Sequence, residues 1–414
     1  MVLDPNLRCS SPSELKTRIS RDLSRQKPDG SERFDVIIIG MGSMGSAACY
    51  HLARAGCRVL GLEQFEIPHE HGSHSGQSRI IRKAYFEHPN YVPLLTAAYD
   101  NWSKLASSSG EQLFFKTGLV SFGKPDNPLI TGIHASAEQH NIDINSISSE
   151  EMEQDYPPFS IPADYAKVVE PNAGFLSPER AILVHLTQAI AQNAVVHLSE
   201  RMVSYQSFKQ EIEVKTNKGS YLCKKLIFTA GPWADQLLPP LKPSLNVTRQ
   251  VLAWVNPKAT KSFGLNNFPC WMLANPIGQG LFYGFPILPT SQFGGPHGMK
   301  VAYHHPGEIT HPDQVNRSVT EEEKLFLSSF LKEFIPNGFD TFETVKTCLY
   351  TNTPDDHFIV DVLPENENII LAAGFSGHGF KFASIVGEVL ADLATKGKTV
   401  HPIEFLQLDR LTSG

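Results

Sequence analysis

The sequence predicts an α/β fold, α+β overall, in which a Rossmann-like layer is interleaved with a mixed or antiparallel sheet. Three observations predict it. An apolar run breaks on a glycine turn near residue 40, and a second strand, glycine turn and helix follow each other in the last fifty residues. Between them, aromatic and β-branched residues alternate, separated by Gly and Pro turns. At 414 residues the chain is long enough for two or three domains and a large core.

Composition excludes several classes. A net charge of -7 argues against nucleic acid as a partner, because phosphate binding needs an electropositive surface. No apolar run reaches the roughly 20 residues that span a bilayer, so no membrane is expected. The cysteines at 9, 49, 57, 223, 270 and 348 show no Cys-x-x-Cys or Cys/His spacing. That pattern fits a reducing, intracellular compartment and disfavours both a disulfide framework and a metal site. Each cysteine is therefore read singly, and an inert buried thiol is the ordinary state.

Taken in order, residues 1–33 read as a polar extension. Within it Ser11, Pro12 and Glu14 have the pattern of a helix N-cap, first turn and capping box, with Leu15, Ile19 and Leu23 at four-residue spacing. A solvated extension is expected. Its acidic residues, Asp29 and Glu32 among them, sit poorly with a transit peptide, although organelle targeting stays open. The closing Leu-Thr-Ser-Gly is not the Ser-Lys-Leu peroxisomal address.

"FDVIIIGMGSMGSAACYHLARAGCRVLGLEQF" opens with residues 36–39, a run suited to a strand buried on both faces. It turns on Gly40, Gly42 and Gly45, continues as a helix with Ala47, Ala48, Leu52 and Ala55 on one face, stops at Gly56, and re-emerges as a strand ending in Glu63. A lone G-x-G-x-x-G is weak. Strand before, helix after and an acid about 20 residues on make it a dinucleotide fingerprint, in which the glycines admit a pyrophosphate and Glu63 accepts from ribose hydroxyls. In "PHEHGSHSGQSRIIRKAY", Arg79 and Arg82 share a face if the segment is helical; by spacing alone they read as a solvated or ion-paired helix face.

Further along, "KKLIFTAGPWADQL" reads as a buried strand entering a Gly-Pro-Trp turn, and "GQGLFYGFPIL" and "HGMKVAYHH" as antiparallel strands. A helix starts at Thr320 with Glu323 completing the capping box, places Leu325, Leu331 and Phe334 on its apolar face, and stops at Pro336. "TFETVKTCLYT" is another strand. "ENIILAAGFSGHGFKFASIVGEVLADLA" closes with strand, glycine turn and helix.

These segments together resemble the monomeric sarcosine oxidase family, which includes the N-methyltryptophan and pipecolate oxidases. The resemblance runs from about Phe34 to Arg410 and rests on "FDVIIIGMGSMG", "GSHSGQSRIIR", "YGFP" with "KVAYH", "TCLYTNTPDDHFIVD" and "AAGFSGHGFKFA", all in family order. It implies a monomeric FAD-dependent oxidase of a small secondary amino acid, cytoplasmic or peroxisomal, that passes electrons to oxygen and forms hydrogen peroxide. It implies an FAD-binding domain in residues 34–110, 165–238 and 345–414, and a substrate domain in 111–164 and 239–344.

By the same resemblance Cys348 is bonded through sulfur to the 8-methyl carbon of the flavin, which requires a thiolate and a neighbouring base or cation to lower its pKa. Arg82 and Lys381 clamp the substrate carboxylate, and Arg79 lies close to the flavin. Lys300, a surface lysine by sequence alone, activates oxygen. Tyr283 and His304 face the substrate; Met272, Tyr350 and Gly377 form walls. The cofactor set is Gly40, Gly42, Ser43, Met44, Gly45, Glu63, Ser78, Arg79, Cys348, Gly374, Gly377, Gly379 and Lys381. One departure is visible: the family loop carries two successive histidines where this chain has His74-Ser75. The alternatives are a noncovalent FAD dehydrogenase serving another acceptor, and an inactive flavin-fold binding protein; Cys348 and Lys300 discriminate the first.

Overall fold

The computed structural model describes residues 2–24, 33–238, 241, 244–305 and 307–411. Asp29 and Glu32 of the expected extension, and the last three residues of the closing tetrapeptide, lie outside them.

The apolar run of residues 36–39 is covered on both sides. Val36 and Ile38 face one core and Ile37 and Ile39 another, as a period of two requires of a central strand. This strand, Arg33–Ile39, pairs in parallel with Val59–Leu62 and with Ser220–Phe228; the sheet extends in parallel through Val195–His197 on one side and Asn366–Ala373 on the other. Three antiparallel strands complete eight. The helix Ser43–Arg54 packs between Pro178–Ala191 and Ala383–Lys396. Ala47, Ala48 and Leu52 are buried as the periodicity requires, but Ala55 caps the helix and is exposed, since the helical face ends one residue earlier.

A second sheet of nine strands is built mainly from antiparallel pairs, including Leu281–Phe285 with Met299–His304 and Asn246–Asn256 with Thr341–Asn352. Ala166–Glu170 and Thr341–Asn352 both hydrogen-bond within this sheet. The helix Glu321–Phe334 covers one face through Phe330, Leu331 and Phe334, with the capping box of Thr320 and Glu323 in place. Leu325, expected on that face, is 62% exposed: the buried face runs through Leu327, Phe330, Leu331 and Phe334, and at 3.6 residues per turn Leu325 falls on the side of the helix opposite Phe334.

Two segments depart from the sequence reading. Residues 79–82 are extended, with Arg79–Ile81 pairing antiparallel with Gly174–Leu176, so Arg79 and Arg82 do not share a helical face. The helix Pro12–Ser24 is not solvated: Leu15 and Ile19 are 1% and 4% exposed and join the main core against Pro178–Ala191. Among the described residues no helix is long and apolar enough to cross a membrane, and no group of three or more His, Cys, Asp or Glu could hold a metal ion. All six cysteines are free.

Candidate active site

Two cavities adjoin where the sheets meet. The larger, of about 400 Å³, begins at the C-terminal end of Arg33–Ile39 and is lined by Gly40, Gly42, Ser43, Met44 and Glu63. Gly40 takes φ +91, and a Cβ there would lie 2.6 Å from the Thr229 carbonyl oxygen. A Cβ on Gly45 would lie 1.9 Å from the Gly40 oxygen. Gly45 therefore does not line the cavity; it lets helix approach strand. Gly42 caps the helix Ser43–Arg54 without a side-chain hydrogen bond, so the first N–H groups of the helix have no side-chain acceptor where Gly42, Ser43 and Met44 line the cavity. Glu63 is 4% exposed and accepts from the Met41 and Phe65 amides at 2.9 and 3.0 Å; burial raises its pKa.

From there the cavity runs past Arg79, Tyr350, Gly374, Gly377 and Gly379. Gly377 has φ +75, and its missing side chain makes room for Tyr350, whose ring would stand 2.3 Å from a Cβ. Arg79 is pinned to its own loop, donating to the Ser73, Ser75 and Ser78 carbonyls at 3.0, 2.5 and 2.9 Å. His74, whose Nε2 is buried without a hydrogen bond, also lines the wall. Ser78 is fully buried behind this loop rather than at the wall; its carbonyl binds Lys300.

Lys300 is no surface lysine. It is 2% exposed, donates to the Gly76 and Ser78 carbonyls at 2.6 and 2.8 Å, and lies 4.8 Å over the Phe285 ring. Burial, then Arg79, pulls its pKa well below the ordinary lysine value. Cys348 is 1% exposed and sits on Thr341–Asn352 opposite Gln250, in a cluster with Trp254, Ala302 and Tyr350. Its neighbours Leu349, Tyr350 and Thr351 line the cavity; Cys348 does not. The expected lowering of its pKa is reversed: burial raises it, and Arg79, Lys300 and Arg317 only partly offset that.

The smaller cavity, about 70 Å³, shares Arg79, Tyr350, Gly377 and Phe380 with the first. Arg82, Met272, Tyr283, His304 and Lys381 all line it, so the structure brings every residue read as substrate-binding to one place. Arg82 is 2% exposed and stacks 4.4 Å over Tyr85. Its Nη2 donates to both oxygens of Glu87, at 2.8 and 2.7 Å. The ion-paired fate that spacing alone suggested is therefore realised, although not on a helix. Lys381 donates to the His378 carbonyl at 2.6 Å and lies 3.5 Å from the Tyr85 hydroxyl; burial, then Arg82, pushes its pKa down to about 7. Burial alone would raise Glu87, but Arg82, His378 and Lys381 hold it down at about 2. His304 is held near 4 by burial and is 3.3 Å from the Tyr350 hydroxyl.

Glu87, Tyr85 and His378 were missed from sequence. Glu87 falls five residues after Arg82, a spacing that means nothing on a helix and becomes a contact only because the chain is extended and then turns.

The model of the FAD dependent oxidoreductase family matches residues 35–393. The chain belongs to that family. Monomeric sarcosine oxidase of Bacillus sp. (strain B-0618) is 37% identical over 385 residues, which are 92% of this chain and 97% of that protein. N-methyl-L-tryptophan oxidase of Yersinia pestis (strain Pestoides F) is 33% identical over 86% of this chain and 94% of its own. Among solved structures, NikD, an amino acid oxidase essential for nikkomycin biosynthesis, has the same fold at TM-score 0.79 and 24% identity, covering 91% of this chain and 98% of that one.

The residues present fit FAD, the family's cofactor. A long cavity opens at the glycine turn and helix N-terminus, with Glu63 at its strand end. At Gly231, on the cavity wall, a Cβ would meet nothing within 4 Å, so the wall leaves room for a bound group.

Proposed function

We propose that this FAD-dependent oxidoreductase oxidises the C–N bond of a small secondary amino acid to an imine, transferring the electron pair to oxygen to give hydrogen peroxide. The observation that carries the reading is the convergence of Arg82 and Lys381, from opposite ends of the chain, on a small cavity that shares its walls with the dinucleotide cavity. Bound FAD supplies the electron-pair acceptance. The chain's own residues bind, orient and exclude water.

In this reading the backbone at Gly40, Gly42, Ser43 and Met44, with Glu63, holds the dinucleotide; Arg79, Gly374 and Gly379 enclose its ring end, Ser78 acts from behind the wall through its carbonyl on Lys300, and Gly45 provides the close helix approach. Arg82 and Lys381 take the substrate carboxylate through charge-assisted hydrogen bonds. Met272, Tyr283, His304, Tyr350 and Gly377 shape the pocket; His304, neutral near pH 7, presents no competing charge to the amine. Lys300 places a positive charge beside the Gly76 and Ser78 carbonyls, where it favours electron transfer to oxygen by stabilising the developing negative charge. We further assign Cys348 as the point of covalent attachment, and the chain as a monomer of two interleaved domains, one around each sheet; in this assignment residues 166–170 and 345–352, read from sequence with the FAD-binding domain, go with the nine-stranded sheet instead.

A peroxide-release assay with sarcosine, L-proline, L-pipecolate and N-methyltryptophan tests the activity, and turnover of none of them without peroxide would overturn it. A second reading, a noncovalent dehydrogenase, draws on the raised Cys348 pKa. Acid precipitation separates the two. A yellow pellet that turns colourless in Cys348→Ser supports the bond; free flavin in the wild-type supernatant rejects it.

A further inference from the structure

The geometry points to Glu179 as the positioning residue that sets Lys300 through the peptide turn at residues 76–78. This rests on the role proposed for Lys300. Glu179 is the second residue of Pro178–Ala191, and its carboxylate reaches across to a segment a hundred residues earlier: Oε1 accepts from the Gly76 amide at 2.7 Å and from the Gln77 amide at 3.2 Å. The same turn presents its carbonyls on the other side. The oxygens of Gly76 and Ser78 receive Lys300 Nζ, and the Ser78 amide closes the turn onto the Gly76 oxygen at 2.7 Å.

One peptide unit joins the two interactions. The Gly76 carbonyl and the Gln77 N–H belong to the same planar trans group and point in opposite directions. Fixing that N–H on Glu179 therefore aims the carbonyl at Lys300. The turn takes φ +116 at Gly76 and φ 64 at Gln77, a conformation that no regular element would impose and that needs an anchor. There is no slack beside it, because a Cβ at Gly76 would lie 3.3 Å from both Arg79 Nη1 and Lys300 Nζ. With two of its three donors on those carbonyls, the ammonium can present only one direction to a reactant. Glu179 also opposes part of the burial that disfavours the charged lysine, acting through space rather than by contact.

The test uses holoenzyme variants, read in separated half-reactions and by hydrogen exchange. Glu179→Ala removes acceptor and charge. It is expected to slow reoxidation of the reduced flavin by oxygen roughly ten- to a hundredfold, the scale of a small misplacement, to spare anaerobic reduction by the amino acid, and to speed amide exchange in peptides covering residues 73–79. Glu179→Gln keeps an acceptor oxygen, so its exchange should stay near wild type while reoxidation slows less; it decides the matter if the alanine variant fails to fold. Unchanged reoxidation in the glutamine variant, unchanged reoxidation and exchange in the alanine variant where that folds, or equal loss in both half-reactions, would overturn the proposal. Lys300→Met separates this from the underlying reading. If it slows reoxidation alone while the Glu179 variants do nothing, only Glu179's role fails; if it affects both half-reactions equally, Lys300's role fails first.

Discussion

Lys381 is the one group in the smaller cavity whose titration falls near neutrality, at about 7. The groups facing it are far from that value: Glu87 near 2, His378 near 3, His304 near 4, and the Tyr283 and Tyr350 hydroxyls raised above their ordinary range. A lysine with a lowered pKa is charged below it and neutral above. Binding of a carboxylate that carries no amine, such as propionate, should therefore weaken as pH rises through about 7, by roughly ten- to a hundredfold if a charge-assisted hydrogen bond of ~1.5–3 kcal/mol is lost. Titration calorimetry across pH 6 to 9 measures it, and Lys381→Met should flatten the profile. Gly377 makes a second prediction at this scale. A methyl group at φ +75 and 2.3 Å from the Tyr350 ring must displace that ring, so Gly377→Ala should fall chiefly on turnover, with a stability loss of ~1–3 kcal/mol visible on melting. Such residues were legible where a motif carried them, as with Gly377 and Lys381. Glu87 and Glu179 were not, because their partners lie across turns whose shape no periodicity encodes.

Elements were legible in proportion to their periodicity and caps. The strand Arg33–Ile39, the glycine turn after it and the capped helix Glu321–Phe334 follow from apolar runs, Gly and a Thr-x-x-Glu box, signals that are local and strong. Residues 79–82 were not legible, since Arg-Ile-Ile-Arg fits a helix face and a short strand equally until the partner strand Gly174–Leu176 is known. Sheet membership has the same limit: the alternation of Thr341–Asn352 says strand but not which sheet, and the pairing with Asn246–Asn256 decides it. Helix contact is more exacting than helix formation. A Cβ on Gly387 would stand 2.5 Å from the Ala47 side chain and 2.7 Å from the Ala48 backbone nitrogen, so Ala383–Lys396 crosses Ser43–Arg54 only because that position is bare. Gly387→Ala should cost ~1–3 kcal/mol by overpacking, against the gain in intrinsic helix propensity, and shift the two helices that flank the glycine turn. Thermal melting together with FAD retention on gel filtration reads both effects; an unchanged melting temperature would mean the helices separate freely.

Across the whole molecule, Pro178–Ala191 ties together parts that sequence reading kept apart. Glu179 holds the 76–78 turn, while the next residue, Arg180, wholly buried, donates to the Ser10 carbonyl at 3.0 Å, the Gln112 carbonyl at 3.0 Å and the Gln292 carbonyl at 2.7 Å. Ser10 is fixed from the other side by Glu111, which takes its amide and hydroxyl at 3.1 and 2.8 Å and also pairs with Arg18. Residues 2–24 thus brace the helix whose Glu179 holds the 76–78 turn. Burial of Leu15 and Ile19 contributes about 1.5–3 kcal/mol each, only part of what offsets the ordering of a 13-residue helix; its own backbone hydrogen bonds and the polar anchors at Ser10 and Glu111 must supply the rest. Leu15→Ala should then cost ~2–5 kcal/mol, as for any core leucine. Removing residues 1–24 should lower the melting temperature further and speed hydrogen exchange at residues 76 and 77, because Arg180 loses one of its three carbonyls and Glu179 shares its turn of helix. A truncated chain that melts with the full-length protein and keeps its loop protected would reduce the segment to a passenger on the surface.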